Sequence, residues 1–182
     1  MHKDVEKILV SEEELREISA TLGAKITEDY KNSSKELIVI IILKGSLLFA
    51  SDLIRHIDLP LDIEFMKVSS YGAGTRTSGE IKISLDLNRE NLENYDLLII
   101  EDIVDSGRTL ARLTSLLKNR NANNVKTCTL LDKPSRREVE FVPDFSGATI
   151  PDEFVIGYGL DFDEKYRNLP YVGILKPSVY EK

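Results

Sequence analysis

The sequence predicts an α/β protein in which a twisted, mainly parallel sheet is flanked by helices. The run Leu37-Ile-Val-Ile-Ile-Ile-Leu43 is β-branched and shows no alternation, as expected of a strand covered on both faces. A polar turn, Lys44-Gly45-Ser46, and an apolar helix from Leu47 to about Ile57 follow it directly. The same order of strand, turn and helix returns at Tyr95 to Ile100, Asp105 to Thr109, and the stripe Leu110, Leu113, Leu116 and Leu117. Units of this kind build parallel sheets, with their turns gathered at the carboxyl ends of the strands, where ligands bind.

The remaining elements are read in chain order. Ser11-Glu12-Glu13-Glu14 is a capping box, and Leu15, Ile18, Leu22 and Ile26 recur at helical spacing, so the first helix runs from Ser11 to about Tyr30. Ile63 to Val68 reads as a strand with Ile63, Phe65 and Met66 facing a core. The loop 69–80 holds three glycines, many hydroxyls and one aromatic, Tyr71 beside Ser70. It is too poor in apolar area to hold itself rigid, which suits a closing lid. Ile81 to Leu87 alternates and pairs back as a hairpin, and Val125 to Leu131 returns as a further parallel strand. The last third is less regular, with short strands expected at Phe154 to Tyr158 and Tyr171 to Leu175. No repeat, low-complexity stretch or linker divides the chain, so residues 1–182 form one domain.

Charge narrows the function classes. With 24 basic against 31 acidic residues the net charge is −7, which disfavours a nucleic-acid or anionic-membrane binder. The single cysteine, Cys128, excludes an internal disulfide and a multi-cysteine metal cage, and its apolar surroundings suit a buried strand thiol. The longest apolar run is far too short to span a bilayer and the first residues lack a signal pattern, so a cytoplasmic protein is expected.

The most informative stretch is Leu97 to Thr109, Leu-Leu-Ile-Ile-Glu-Asp-Ile-Val-Asp-Ser-Gly-Arg-Thr. A strand runs into two acids and then a glycine-bearing turn that opens a helix, whose unpaired N–H groups and dipole form an anion site. Gly107 permits close backbone approach, while Ser106 and Thr109 add hydroxyl donors. Glu101 and Asp102 make sense beside an anion only if the ligand also carries hydroxyls or recruits a divalent cation, as a sugar phosphate does.

These residues resemble the ribose-phosphate signature of the phosphoribosyltransferases. Leu43-Lys44-Gly45-Ser46, Ser70-Tyr71, Lys133, Pro151 to Asp161 and Arg167 extend the resemblance to the bacterial hypoxanthine (hypoxanthine-guanine) phosphoribosyltransferases. It implies the type I phosphoribosyltransferase fold, with a core of roughly 35–150. A small hood would come from the first few residues and roughly 150–182, and the lid from 69–80. It implies transfer of the ribosyl phosphate of phosphoribosyl pyrophosphate to hypoxanthine, and to guanine, giving IMP or GMP and pyrophosphate, with Mg2+ as cofactor. The implied general base is Asp105. Glu101, Asp102, Asp105, Ser106, Gly107, Arg108 and Thr109 would hold the ribose and its 5-phosphate. Lys44, Gly45 and Arg167 would hold pyrophosphate, Ser70 and Tyr71 would close over it, and Glu101, Asp102 and Asp161 would contact the metal. Lys133, Phe154, Val155 and Asp161 form the implied purine site, the Lys133 ammonium favouring a 6-carbonyl over adenine's amino group. The resemblance further implies a cis peptide at Leu43-Lys44 and a homodimer or homotetramer. The alternatives are an enzyme for another base such as xanthine, and an RNA-binding attenuation regulator of the same fold, which the acidic charge disfavours.

Overall fold

The computed structural model describes residues 1–70 and 81–181. In order these form β1 (Val5–Val10), α1 (Glu12–Tyr30), β2 (Glu36–Ile42), α2 (Leu47–Ile54), β3 (Leu61–Ser70), β4 (Ile81–Leu85) and β5 (Tyr95–Val104). There follow α3 (Arg108–Lys118), β6 (Asn124–Asp132), a 3-10 turn at Pro134–Arg136, β7 (Phe145–Thr149), β8 (Val155–Ile156), β9 (Val172–Leu175) and α4 (Pro177–Tyr180). The backbone of Ser70 ends β3, whereas Tyr71 and the rest of the expected lid, 71–80, lie outside the described residues.

A six-stranded sheet of order β4-β3-β2-β5-β6-β7 is parallel throughout except at β3–β4. Both faces of β2 and β5 are covered, which accounts for their unbroken apolar sequence. On one face Leu22 and Ile26 of α1 and Phe49 and Leu53 of α2 join a core with Val39, Ile41, Leu98 and Ile100. On the other, Leu110, Leu113 and Leu117 of α3 pack with Ile38, Ile40, Leu97 and Ile99. Burying each such side chain stabilises the fold by about 1.5–3 kcal/mol before ordering costs. Cys128 lies within the first core, where burial drives its thiol pKa upward.

A second sheet of order β1-β9-β8 unites the two ends of the chain, Val5 pairing with Leu175 and Val10 with Val172. Neither β1 nor β7 is foreseen from the sequence. The Ser11–Glu14 capping box is present, with Glu14 N–H donating to Ser11 Oγ and Ser11 N–H donating to Glu14.

The structure corrects the reading of β3. Met66 is buried, but Ile63 and Phe65 are 44% and 39% exposed rather than in a core. They project from the face on which α2 packs, yet α2 lies over β2 and β5 instead of β3. β5 continues to Val104, past the Ile100 expected from the sequence, so Glu101 and Asp102, which precede the turn as expected, stand on the strand itself.

The approach of α1 to α2 is set by Gly23, where an added Cβ would lie 2.4 Å from His56 Cβ and 2.6 Å from His56 O. In an open helix Gly→Ala stabilises by roughly 0.5–1 kcal/mol. Here overpacking outweighs that gain, so Gly23→Ala should destabilise by about 1–3 kcal/mol in denaturant unfolding.

Candidate active site

β2 and β5 are parallel neighbours, Ile41 standing opposite Ile100, so the turns that leave them lie side by side. Between them opens a cleft of about 380 Å³ lined by Lys44, Gly45, Glu101, Asp102, Ser106, Gly107, Thr109, Asp161 and Arg167. A larger hollow, about 710 Å³, lies by Lys35, Leu37, Leu61 and Asp96 at the opposite, amino ends of the strands, away from both turns.

The Leu43–Lys44 peptide is cis. The turn it begins is packed against β5: a Cβ added to Gly45 would fall 1.5 Å from Asp102 Oδ2. Gly159, at φ +104°, also comes so near that its own Cβ would lie 1.9 Å from Gly45 O. Only glycine tolerates both contacts, and Gly159 also needs the left-handed backbone. Through this contact the segment after β8, with Asp161, reaches the end of β2.

Two acids face this junction. Desolvation raises the pKa of Glu101 well above the ordinary value, and its neighbour Asp102 raises it further. Desolvation also raises Asp102, opposed in part by hydrogen bonds and the Arg167 charge. Cations stand opposite. Arg167 Nη2 lies 2.9 Å from Asp161 Oδ1 and its Nη1 donates to Gly159 O at 2.7 Å. Lys44 Nζ lies 2.8 Å from Glu164 Oε2, whose partner oxygen is 3.4 Å from Arg167. Both residues of the Lys44–Glu164 pair are more than half exposed, so it contributes little to stability.

The turn at Ser106 and Gly107 closes the cleft. Gly107 caps α3 at φ +79° without a side-chain bond of its own, and the first helical N–H, that of Arg108, donates to Ser106 Oγ at 3.3 Å. The Arg108 side chain is drawn away to Glu138 at 2.6 Å.

Asp105, Lys133, Phe154 and Val155 are absent from this lining and form a neighbouring group. Lys133 is 8% exposed and donates to Glu153 O at 2.6 Å. Arg136 links Asp105, 3.4 Å away, to Asp152, 3.7 Å away. Phe154 stacks on Tyr180, ring centres 5.1 Å apart, and meets Phe162 edge to face. Glu164, Arg136, Arg137 and Tyr180 are site neighbours that sequence reasoning does not single out. Glu164 lies 120 residues from Lys44 and carries no local signal, whereas the Arg136-Arg137 pair is visible but reads only as a polar exit from a strand.

Among the described residues no three His, Cys, Asp or Glu side chains converge tightly enough to hold a metal alone. The donors that do face the cleft are hard carboxylates. They fit Mg2+, which keeps several waters and binds through one or two protein carboxylates with substrate oxygens.

Residues 6–163 match the phosphoribosyl transferase domain. The hypoxanthine-guanine phosphoribosyltransferase of Lactococcus lactis is 54% identical over 182 residues, covering 100% of this chain and 97% of that protein. That of Bacillus subtilis is 52% identical over 181 residues, covering 100% and 99%. The chain also spans 28% of the length of the bifunctional TilS/HprT protein of Listeria monocytogenes, at 51% identity. A hypoxanthine phosphoribosyltransferase crystal structure from Staphylococcus aureus superposes with a TM-score of 0.93 at 50% identity, covering 100% and 97% of the two chains. A mutant hypoxanthine phosphoribosyltransferase from Trypanosoma cruzi, in a ternary substrates complex, gives 0.92 at 40% identity, covering 98% and 100%. A glycine-bearing turn that opens a helix, paired acids at the end of a parallel strand and full-length identity above one half with these bacterial relatives lead to one conclusion: the chain belongs to the phosphoribosyltransferase family, among its hypoxanthine-guanine members.

Proposed function

We propose that this chain joins hypoxanthine, and guanine, to the ribosyl phosphate of phosphoribosyl pyrophosphate, releasing pyrophosphate and forming IMP or GMP. The observation that carries the reading is the cleft itself, which sets an anion-binding turn, two carboxylates and a lysine-arginine pair around one volume. The purine N9 forms a bond to the anomeric carbon as the bond to pyrophosphate oxygen breaks, through an oxocarbenium-like transition state. Asp105 accepts the purine N7 proton, and Lys44, Gly45 and Arg167 hold the departing pyrophosphate. Ser106, Gly107, Arg108 and Thr109 bind the 5-phosphate, chiefly through backbone N–H groups.

Glu101 and Asp102 bind the ribose hydroxyls. With Asp161 they would also hold Mg2+, which when bound neutralises charge on the leaving group. Lys133 donates to the 6-carbonyl of the base beside Phe154 and Val155. Ser70 and Tyr71 belong to a lid that excludes water. The β1-β9-β8 sheet serves as the hood over the larger sheet. Phosphorylated substrates do not cross membranes, which fits a cytoplasmic enzyme, and no helix among the described residues is long and apolar enough to cross one.

A spectrophotometric screen of five free bases with phosphoribosyl pyrophosphate and Mg2+ tests the reading. Turnover of hypoxanthine and guanine but not adenine is expected, and turnover of adenine alone would refute it. In the same assay Asp105→Asn should lower turnover about a hundredfold or more with little change in phosphoribosyl pyrophosphate affinity.

The raised carboxyl pKa values give a second test. A raised acid favours the folded state below its ordinary pKa, and this contribution is lost as pH rises through the folded value. At neutral pH the two acids therefore oppose folding of the ligand-free chain. Glu101→Gln should raise the melting temperature at pH 7.5, with the gain shrinking towards pH 4, while lowering kcat/KM at least about tenfold.

We further propose that the uncovered face carrying Ile63, Phe65 and Leu85 joins two copies of this chain, the three side chains being 39–44% exposed on adjacent strands. Phe65→Glu should convert the oligomer to monomer in light scattering after gel filtration. A wild-type monomer would remove this assignment.

A further inference from the structure

The phosphate turn is held from behind by the segment that follows the 3-10 turn. Arg137 is 16% exposed in its side chain and is fixed at one end by Asp132, the last residue of β6. Its other nitrogen, Nη1, donates to the backbone oxygen of Asp105 at 2.5 Å. The next residue does the same through its backbone, Glu138 N–H donating to Ser106 O at 3.0 Å. Phe141 and Val139 complete the wall: a Cβ on Gly107 would lie 3.0 Å from Arg137 Cδ, 3.1 Å from Phe141 Cβ and 3.3 Å from Val139 Cγ2.

Two successive carbonyls of the turn thus point at this wall. In a trans peptide the C=O and the following N–H point in opposite directions. Among the described residues the single cis bond is Leu43–Lys44, so the peptides at Asp105–Ser106 and Ser106–Gly107 are trans. Anchoring the Asp105 and Ser106 carbonyls on the wall therefore directs the Ser106 and Gly107 N–H groups the other way. Ser106 and Gly107 line the cleft, whereas Arg137 and Glu138 do not.

We infer that Arg137 is a positioning residue for this site: by holding the Asp105 carbonyl it aims the backbone donors of the turn at a phosphate monoester and fixes the peptide that carries Asp105. Arg137 touches no substrate in this account. The inference rests on the proposed function only in taking the turn's ligand to be a 5-phosphate.

The test uses the full chain with ribose 5-phosphate as probe. Amide shifts of Ser106 and Gly107 and the dissociation constant are followed in wild type, Arg137→Met, Arg137→Lys and the double variant Arg137→Met/Asp132→Asn. The double variant removes both charges of the buried pair and so guards against misfolding from an unpaired Asp132. Wild type should bind with large shifts at both amides. Arg137→Met and the double variant should bind about tenfold or more weakly with those shifts reduced, the scale on which groups that orient a binding group act. Arg137→Lys should recover part of the loss. In turnover, the KM for phosphoribosyl pyrophosphate should rise while that for hypoxanthine stays within about twofold, a split that general destabilisation would not give. Unchanged affinity and unchanged amide shifts in folded Arg137→Met would overturn the inference alone. A wild type that neither binds ribose 5-phosphate nor moves these amides would overturn the phosphate reading, and the inference with it.

Discussion

At Gly45 three parts of the chain meet with no room between them. The Asp102 carboxylate lies where a Cβ of Gly45 would stand, and a Cβ on Gly159 would fall on the Gly45 carbonyl. This contact fixes the end of β2 against the end of β5 and brings the segment bearing Asp161 onto both. The large sheet alone would present two turns side by side. The junction makes them, with Asp161 and Arg167, the walls of a single cleft, and side chains of any size at 45 or 159 would force those walls apart.

The electrostatics of the cleft work against the ligand-free fold. Glu101 and Asp102 are adjacent, desolvated carboxyls whose pKa values rise together. Arg167 and Lys44 stand nearby, but their close partners are Asp161 and Glu164. A structure optimised for stability alone would not place two acids there. Functional sites commonly retain such strain, and the surrounding sheet supplies the stability that permits it.

Much of this was legible in the sequence because it is local. The unbroken apolar runs of β2 and β5, the leucine stripe of α3 and the turn Asp105 to Thr109 each announce themselves within about ten residues. What escaped is what depends on distant partners. β1, Val-Glu-Lys-Ile-Leu-Val, carries two charges and becomes a strand through pairing with β9 at the far end of the chain. β7, Phe-Ser-Gly-Ala-Thr, is a short edge strand containing glycine, where propensity is weakest. Ile63 and Phe65 look like core by composition, but only helix placement decides which strand face is covered. Glu164 and Arg137 reach the site only through the folded path of the last third.

The pairing of Val5 with Leu175 makes the chain nearly a closed ring, since its first and last strands are hydrogen-bonded neighbours in the small sheet. Joining the two ends by a short linker and opening the chain elsewhere would leave every strand contact of the large sheet intact. A mechanical pull applied at either end would load β1 and β9 first, and through β8 the segment that seats Gly159 against Gly45, before it reached the six-stranded sheet.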